Sequence, residues 1–557
     1  MIIQPIINIA EICFQKGVRH VVLSPGSRCA HLVVAFVRHP GIQTYTISDE
    51  RTAAFVALGM AQQLQETVAL VCTSGTAALN YYPAIAEAFY QKIPLLVFTA
   101  DRPDEWIDQL DGQTIRQKNV YHNHILKSYH LPVDYSHKDA KWYLERSVNE
   151  AINIIQKPYQ QGPVHINVPI REPFYPEPYE EVNYEKVRIY ESIIAEKKLT
   201  ETMVSKLNQL IARSSKILIV IGQQRFDQKL IHLIEQYSTI YNIPVIADVI
   251  ANCPVSNRIK HVDITLFDST LHDSLQPDCV ISFGKSVLSK SVKSWLRKCT
   301  VQTHIHIQEG NEIADYSQSI SHLVETDVFD FFAQIRPLNP QNSSYLNLWK
   351  NTDKDFKTKL ETHFTKCEFS EFEAIKIILD TLPENCNLHL ANSMAVRYVN
   401  YLGVPEGVEV FANRGTSGID GSTSTAVGVS ICSNKKNILI SGDMAFLYDR
   451  NAFWHNQIPN NLFIFVLNNN GGGIFRIIEG PNKLPELNTY FETKQNSNMS
   501  MLAEEFGLNY YTVNDKKLLS ELCCLQIYKS EKVLCEIKTD SVLNTTVLKQ
   551  FTQNFKK

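Results

Sequence analysis

Residues 437–444, NILISGDM, and residues 462–473, LFIFVLNNNGGG, decide how this chain is read. Each is a short, continuous apolar run that stops abruptly in small or polar residues. A strand buried on both faces, as in a parallel sheet covered by helices, has this pattern, whereas a half-exposed strand alternates. Open parallel sheets bind ligands beyond the carboxyl ends of their strands, so Gly442-Asp443-Met444 and the run from Asn468 to Gly473 lie where chemistry is expected. Asp443 and Asn470 are 27 positions apart, room for one helix and a return strand, which sets a carboxylate and an amide oxygen side by side. Such hard oxygen donors suit Mg²⁺ bridging to phosphates, and the glycines let backbone approach them closely. Taken singly, Asp443 also reads as a helix cap and the Asn-Gly run as a turn. Their joint spacing favours a shared site.

The same rhythm runs outward in both directions. Strands are expected at residues 20–24, 67–72, 94–99 and 164–168, then at 216–221, 244–247, 279–283 and 304–307, and finally at 387–390, 409–412, 437–440, 462–467 and 533–537. That is too many for one open sheet, and a chain of 557 residues at roughly 150 per domain makes several domains. Residues 169–187, PIREPFYPEPYEEVNYEKV, read as an extended linker rather than a packed element. Residues 337–344, PLNPQNSS, followed by a charged helical stretch to Lys366, mark a second boundary. The expected fold is α/β, with three doubly wound parallel-sheet domains at 1–175, 190–340 and 360–557, the first and last sharing one strand-loop-helix rhythm.

Composition removes several classes of function. Hydrophobic residues make up 44% and charged residues 20%, which is globular rather than disordered, collagenous or coiled-coil. Lys and Arg total 54 against 58 Asp and Glu, a net charge of −4, so no global basic field argues for nucleic acid or an anionic membrane. No apolar run approaches the roughly 18 residues of a membrane span. The opening MIIQPIINIAEICFQKG, interrupted by Glu11, reads as a helix packed on a core rather than a targeting segment. The twelve cysteines are scattered, and the neighbours Cys523 and Cys524 form neither an ordinary disulfide nor a CxxC site, so a cytoplasmic location is expected. His122 and His124 have no Cys or carboxylate companion and do not read as a metal site. Ile221-Gly222-Gln223-Gln224 lacks the GxGxxG fingerprint, which disfavours a dinucleotide-dependent dehydrogenase.

A second concentration of unusual residues lies in the first domain. Asp49-Glu50-Arg51 falls between a β-like run at residues 44–47 and an amphipathic helix. Alone, a glutamate there only complements the helix dipole. Two further small-residue loops at strand ends, Ser24-Pro25-Gly26-Ser27-Arg28 and Thr73-Ser74-Gly75-Thr76-Ala77, make a site the better reading.

These stretches, with TADRP (residues 99–103), Gln113 followed by IRQ, NSMAVR (392–397), NRGTSGIDG (413–421) and the GDM and NNNGG loops, make the chain similar to thiamine diphosphate enzymes. More narrowly it resembles the 2-succinyl-5-enolpyruvyl-6-hydroxy-3-cyclohexene-1-carboxylate synthase family of menaquinone biosynthesis, over essentially its whole length. The resemblance implies an aminopyrimidine-binding first domain, a central domain and a diphosphate-binding last domain. It implies thiamine diphosphate with Mg²⁺, or Mn²⁺ in its place, and a transferase that decarboxylates 2-oxoglutarate and adds the succinyl carbanion equivalent to isochorismate by conjugate addition. Glu50 matches the glutamate that hydrogen-bonds the pyrimidine ring, and Ile419 the apolar residue that holds the cofactor bent. Ser417, Gly442, Asp443, Met444, Ala445, Asn470, Gly472, Ile474 and Phe475 match further cofactor positions, with Asp443, Asn470 and Gly472 on the metal.

Both substrates are dicarboxylates, and Arg28, Arg102, Lys290, Arg397 and Arg414 match cations that receive them, with Ser27, Gln113 and Ser393 as neutral partners. An Arg fork meets a carboxylate through two charge-assisted hydrogen bonds. Ser27 also reads as a helix cap, and the arginines as surface cations or partners of internal acids. The family binds its cofactor between subunits, so a homodimer or homotetramer is implied. There are departures: Met444 stands where most thiamine diphosphate enzymes have glycine, as in this family; Cys29-Ala30-His31 replaces small polar residues and proline; and residues 284–291, GKSVLSKS, follow the pattern around Lys290 only loosely. TADRP and NRGTSGIDG argue against an acetolactate synthase-like carboligase. The joint presence of Glu50, Asp443 and Asn470 argues against an idle binding scaffold.

Overall fold

The computed structural model describes every residue except Met1, Tyr159, Pro173, Pro176, Pro178, Tyr179, Asn311, residues 337–341 and Lys557. The chain forms two compact units. One comprises Met1–Ile194, Asn413–Asn437 and Ala445–Leu462, the other Ala195–Ala412, Ile438–Met444 and Phe463–Lys557.

The first unit is built on a six-stranded sheet of β1 (His20–Ser24), β2 (Gln43–Thr46), β3 (Val68–Cys72), β4 (Leu95–Asp101), β5 (Lys127–His130) and β6 (Val164–Pro169), in the order β2-β1-β3-β4-β6-β5. All of its pairings are parallel. β3, β4 and β6 are buried along their whole length, as continuous apolar runs require of strands covered on both faces. The opening helix Gln4–Gln15, with Pro5 in its first turn, turns Ile6, Ile7, Ile9 and Ile12 into this core, as its sequence predicts. Helix Glu50–Leu64 is buried over Thr52–Ala61 because helix Ser422–Ile431 lies against it. The two backbones touch at glycines: a Cβ on Gly59 falls 2.1 Å from the Thr425 carbonyl oxygen and one on Gly428 2.0 Å from that of Val56. Any larger residue at either position forces the helices apart.

Residues 170–194 carry no helix or strand among those described, as the proline-rich composition suggests, yet they are not a free linker. Ile170 is fully buried, and Phe174, Val182, Tyr184 and Ile189 pack on the first core. The Tyr184 hydroxyl donates to the Ala35 carbonyl at 2.8 Å. The aromatic and β-branched residues of this stretch supply apolar surface that packs on the first core.

The second unit holds two sheets. β7 (Ile217–Ile221), β8 (Val245–Ala247), β9 (Cys279–Phe283), β10 (Thr303–Ile307) and β11 (His322–Val324) run in the order β11-β10-β9-β7-β8. β12 (Asn387–Leu390), β13 (Glu409–Phe411), β14 (Asn437–Gly442), β15 (Leu462–Asn468), β16 (Asn509–Val513) and β17 (Val533–Lys538) run β13-β12-β14-β15-β17-β16. This last order repeats, strand for strand, that of the first sheet, so the shared rhythm is a shared topology. The fold is therefore three parallel α/β sheets with helices. Of the expected boundary at 337–344, residues 337–341 lie outside the described residues, and helix Ser343–Phe364 begins within its last two positions. In sheets of this order the topological switch lies between the first and third strands, which directs attention to the loops after β1 and β3 and after β12 and β14. At the switch of the middle sheet the strand-end loops bond to each other instead: Gly222 N–H donates to the Phe283 carbonyl at 2.8 Å and Lys285 N–H to that of Gln223 at 3.0 Å.

Candidate active site

In the first unit the loops after β1, β3 and β4 are held together by buried polar groups. Gln117, 1% exposed, donates from Nε2 to the Ala100 carbonyl and to Asn167 Oδ1, both at 2.8 Å, and its Oε1 accepts the Gly75 N–H at 3.2 Å. Asn167 Nδ2 donates to Asp101 Oδ2 at 2.7 Å. Gly75 has φ +85°, and a Cβ there stands 3.2 Å from the Gln113 backbone, so glycine is required on both conformational and steric grounds. This network places three sequence-predicted residues. Arg28 is buried, donates to the Ile170 carbonyl at 2.8 Å and lies over the Phe174 ring at 4.3 Å. Arg102 donates to the Gly112 carbonyl and pairs with Asp111 at 2.6 Å. Gln113 is exposed with φ +54°. Burial and then the Arg102 charge hold the Arg28 guanidinium below its usual value, which marks two like charges facing one region. Ser27 opens the turn Ser27–Cys29, and its hydroxyl accepts from Tyr175 at 2.9 Å. Cys29 and His31, which depart from the family pattern, are both buried.

Glu50 is the first residue of helix Glu50–Leu64, capped by Asp49, whose Oδ1 accepts the Thr52 N–H at 3.0 Å. Burial raises the Glu50 carboxyl above the ordinary range, with the Asp49 charge adding to it. Its neighbours are fixed: Asn451 donates to Asp49 Oδ2 at 2.6 Å, and Arg51 donates to the Tyr448 carbonyl at 2.8 Å.

The NRGTSGIDG loop belongs to the same unit. Arg414 is half-buried, Ser417 is exposed with φ +63°, and Ile419 is 39% exposed instead of filling a core. An apolar side chain left open among polar strand-end loops fits a residue that packs against a ligand. Ala445 is buried in helix Asp443–Tyr448.

In the second unit Asp443 follows β14 and is 2% exposed. Its Oδ1 accepts the Met444 N–H at 2.7 Å and its Oδ2 the Gly471 N–H at 2.8 Å. Burial nonetheless pushes its carboxyl up to about 7, against the donors from Met444, Gly471 and Asn470. Asn470 is exposed in the left-handed region at φ +62°, and its N–H donates to Asn468 Oδ1 at 2.9 Å. Gly472 N–H donates to the Glu492 carbonyl at 2.7 Å, and a Cβ on Gly471 meets that oxygen at 2.5 Å. Ile474 and Phe475 follow in the short helix Ile474–Ile477. A Cβ at Gly442 meets no atom within 4 Å. A buried carboxylate whose donors among the described residues are backbone N–H groups, a neighbouring amide and open space at the strand end fit an oxygen-ligated divalent ion carrying a diphosphate.

Around β12 the backbone is strained. Ser393 has φ +77° without being glycine, and its carbonyl accepts from Arg397 Nη1 at 3.1 Å. Burial lowers the Arg397 guanidinium. Lys290 is exposed at the start of helix Lys290–Leu296, capped by Ser289, whose hydroxyl donates to the buried Asp263. The sequence-predicted residues thus form two groups. Ser27, Arg28, Glu50, Arg102, Gln113, Arg414, Ser417, Ile419 and Ala445 lie in the first unit, and the rest in the second.

Gln117 ends the IRQ stretch that follows Gln113, and three further supporting residues, Asn167, Glu87 and Glu371, carry no motif signal and emerge only from the geometry. Glu371, at the start of helix Glu371–Asp380, accepts from Asn469 at 2.5 Å. Burial raises it to about 7, with Asn469 opposing and the Asp443 charge adding.

Comparison with known proteins identifies the family and its domain order. Residues 8–124 match the N-terminal TPP-binding domain of thiamine pyrophosphate enzymes, residues 190–390 the middle domain, and residues 393–534 the C-terminal TPP-binding domain. The chain is 42% identical to a 2-succinyl-5-enolpyruvyl-6-hydroxy-3-cyclohexene-1-carboxylate synthase of Cytophaga hutchinsonii, covering 98% of each. It is 40% identical to the protein of that name from Flavobacterium psychrophilum, again over 98% of each. The match to the Flavobacterium johnsoniae protein is 38% identical, over 98% of this chain and 97% of the relative. The chain belongs to the 2-succinyl-5-enolpyruvyl-6-hydroxy-3-cyclohexene-1-carboxylate synthase family of thiamine pyrophosphate enzymes.

Proposed function

We propose that this protein catalyses the thiamine diphosphate-dependent decarboxylation of 2-oxoglutarate and the conjugate addition of the succinyl unit to isochorismate, giving 2-succinyl-5-enolpyruvyl-6-hydroxy-3-cyclohexene-1-carboxylate for menaquinone biosynthesis. The observation that carries the reading, beyond family membership, is the proximity of Arg28 to Arg102. An Arg28 guanidinium held below its usual value by burial and then by the Arg102 charge, in a slightly acidic protein, suits an anionic ligand that relieves the repulsion.

Bound thiamine diphosphate supplies the electron sink for decarboxylation and carboligation. The protein's part is binding, orientation and proton handling. Glu50, raised by burial, carries a proton at higher pH than an ordinary glutamate and so suits a hydrogen bond to the aminopyrimidine. Ile419 packs against the cofactor. Asp443, the Asn470 amide and the Gly472 carbonyl hold Mg²⁺ or Mn²⁺. Arg28, Arg102, Arg397, Arg414 and Lys290 take substrate carboxylates, with Ser27, Gln113 and Ser393 as neutral partners. Engagement of Arg102 requires exchange of its bond to Asp111.

The reading extends to three domains at 1–175, 190–340 and 360–557, to a homodimer or homotetramer with each site shared between subunits, and to a cytoplasmic enzyme. Among the described residues no helix is long and apolar enough to cross a membrane. The test is incubation of the protein with thiamine diphosphate, Mg²⁺ and 2-oxoglutarate, with and without isochorismate, following CO₂ and the adduct. CO₂ release with formation of the isochorismate adduct supports the proposal, and failure to form it refutes the assigned acceptor.

A further inference from the structure

Glu87 sits in helix Tyr82–Gln91, is 1% exposed and, among the described residues, takes its hydrogen bonds from neutral donors. Its carboxylate is instead surrounded by donors from one loop. Oε1 accepts the Gly415 N–H at 2.7 Å, and Oε2 accepts both the Thr416 N–H and the Thr416 hydroxyl at 2.6 Å. Gln91, one turn along the same helix, donates to Oε1 at 2.5 Å. A buried carboxylate bound by successive backbone N–H groups fixes the backbone much as an anion fixes a nest. The approach is tight: a Cβ on Gly415 lies 2.8 Å from the Glu87 carbonyl oxygen, so glycine is needed where the loop meets the helix. Arg414 precedes the gripped pair, Ser417 follows it directly and Ile419 lies two residues beyond Ser417.

We propose that Glu87 is a positioning residue that sets the conformation of the loop carrying Arg414, Ser417 and Ile419 toward substrate and cofactor. This deepens the functional reading above and rests on it. A glutamate serving only to stabilise the fold needs any set of donors, whereas here three of its four contacts come from the two residues between Arg414 and Ser417. Glu87→Gln replaces an acceptor oxygen by a donor facing an N–H. Thr416→Val, at an exposed position, removes only the hydroxyl contact and leaves the core untouched.

The test uses the full-length protein and reads amide hydrogen exchange alongside kinetics. In Glu87→Gln the amides of Gly415 and Thr416 should exchange on the order of tenfold faster or more, while those in the interior of helix Glu50–Leu64 keep their protection. Substrate KM should rise and thiamine diphosphate affinity fall, with Thr416→Val shifting both in the same direction by less. Combination with Arg414→Ala should be less than additive in kcat/KM. Unchanged exchange at Gly415 and Thr416, or full additivity with Arg414→Ala, overturns the proposal. If Glu87→Gln does not fold, wild-type exchange and kinetics in Thr416→Val decide against it. Wild-type protein that forms no adduct with 2-oxoglutarate and isochorismate refutes the functional reading instead, and loop exchange then still decides whether Glu87 holds the loop.

Discussion

Asp443 Oδ2 accepts the backbone N–H of Gly471 at 2.8 Å, joining the ends of β14 and β15 across 28 residues of chain. The bond ties the carboxylate to the loop that presents Asn470, so both oxygen donors move as one piece. Asp443→Ala removes the proposed metal ligand and this tie together. Affinity for thiamine diphosphate should fall at least about tenfold, comparable with losing a charge-assisted contact of about 1.5–3 kcal/mol. The loss should appear in Mg²⁺ and shrink when Mg²⁺ is withheld. Calorimetry giving equal affinities for variant and wild type would remove Asp443 from the metal site.

Glu50 begins a helix whose cap is the neighbouring Asp49, so its own carboxyl is not needed to start the helix. Glu50→Gln keeps the shape and loses the acid. Turnover should drop on the order of 10²- to 10⁴-fold, the usual range for a positioned proton-handling group. The urea midpoint should stay close to that of wild type, and the cofactor should still bind. Wild-type turnover in this variant would show that the acid has no part in the reaction.

What could be read from sequence follows from burial. Every strand expected as a continuous apolar run is present, since strands such as β3 and β15 are covered on both faces. The strands with no such run are β2 (QTYT), which shows only as a β-like run, β5 (KSYH), β11 (HLV) and β16 (NYYTV), and each is an edge strand of its sheet. An edge strand half open to water carries polar residues and lacks the apolar signature. At the site, Asp443 and Asn470 are legible because glycines surround them at strand ends. Asn167 and Glu87 are not legible, and Gln117 shows only as the last residue of IRQ with no role attached, because a buried amide or carboxylate looks like any other polar residue until its donors and acceptors are located.

Arg28 and Arg414 provide a different test, because both are assigned to substrate rather than to cofactor. Arg28 is held by the Ile170 carbonyl and the Phe174 ring, so its fork is oriented before a ligand arrives. Truncating either arginine to alanine should lower kcat/KM by about 10- to 150-fold, matching one lost charge-assisted hydrogen bond of about 1.5–3 kcal/mol. Thiamine diphosphate affinity should be spared. If calorimetry finds cofactor affinity falling as steeply as kcat/KM, these arginines serve the other ligand.

Asp101 gives a pH test of the network beneath the substrate loops. It is 2% exposed. Burial raises its carboxyl to about 6, opposed by hydrogen bonds from Asn167 and the Arg102 N–H, with the Asp104 charge raising it and the Arg28 charge lowering it. An unfolded aspartate titrates near 3.9. Between about pH 4 and 6 the folded protein therefore keeps a proton that the unfolded chain has released. Stability falls with rising pH wherever the native state binds more protons. The Asp101 contribution is thus greatest below about pH 4 and is lost as pH rises through about 6, a change on the order of 1–3 kcal/mol. Asp101→Asn cannot titrate, and it adds a constant penalty because its amide faces the Asn167 donor. The stability of wild type relative to Asp101→Asn should therefore decline from about pH 4 to 6 and level off above about 7. His130, held below its usual value chiefly by burial, is present in both proteins and cancels in that difference. Urea midpoints that run parallel for the two proteins across this range would show that Asp101 titrates as an ordinary surface acid.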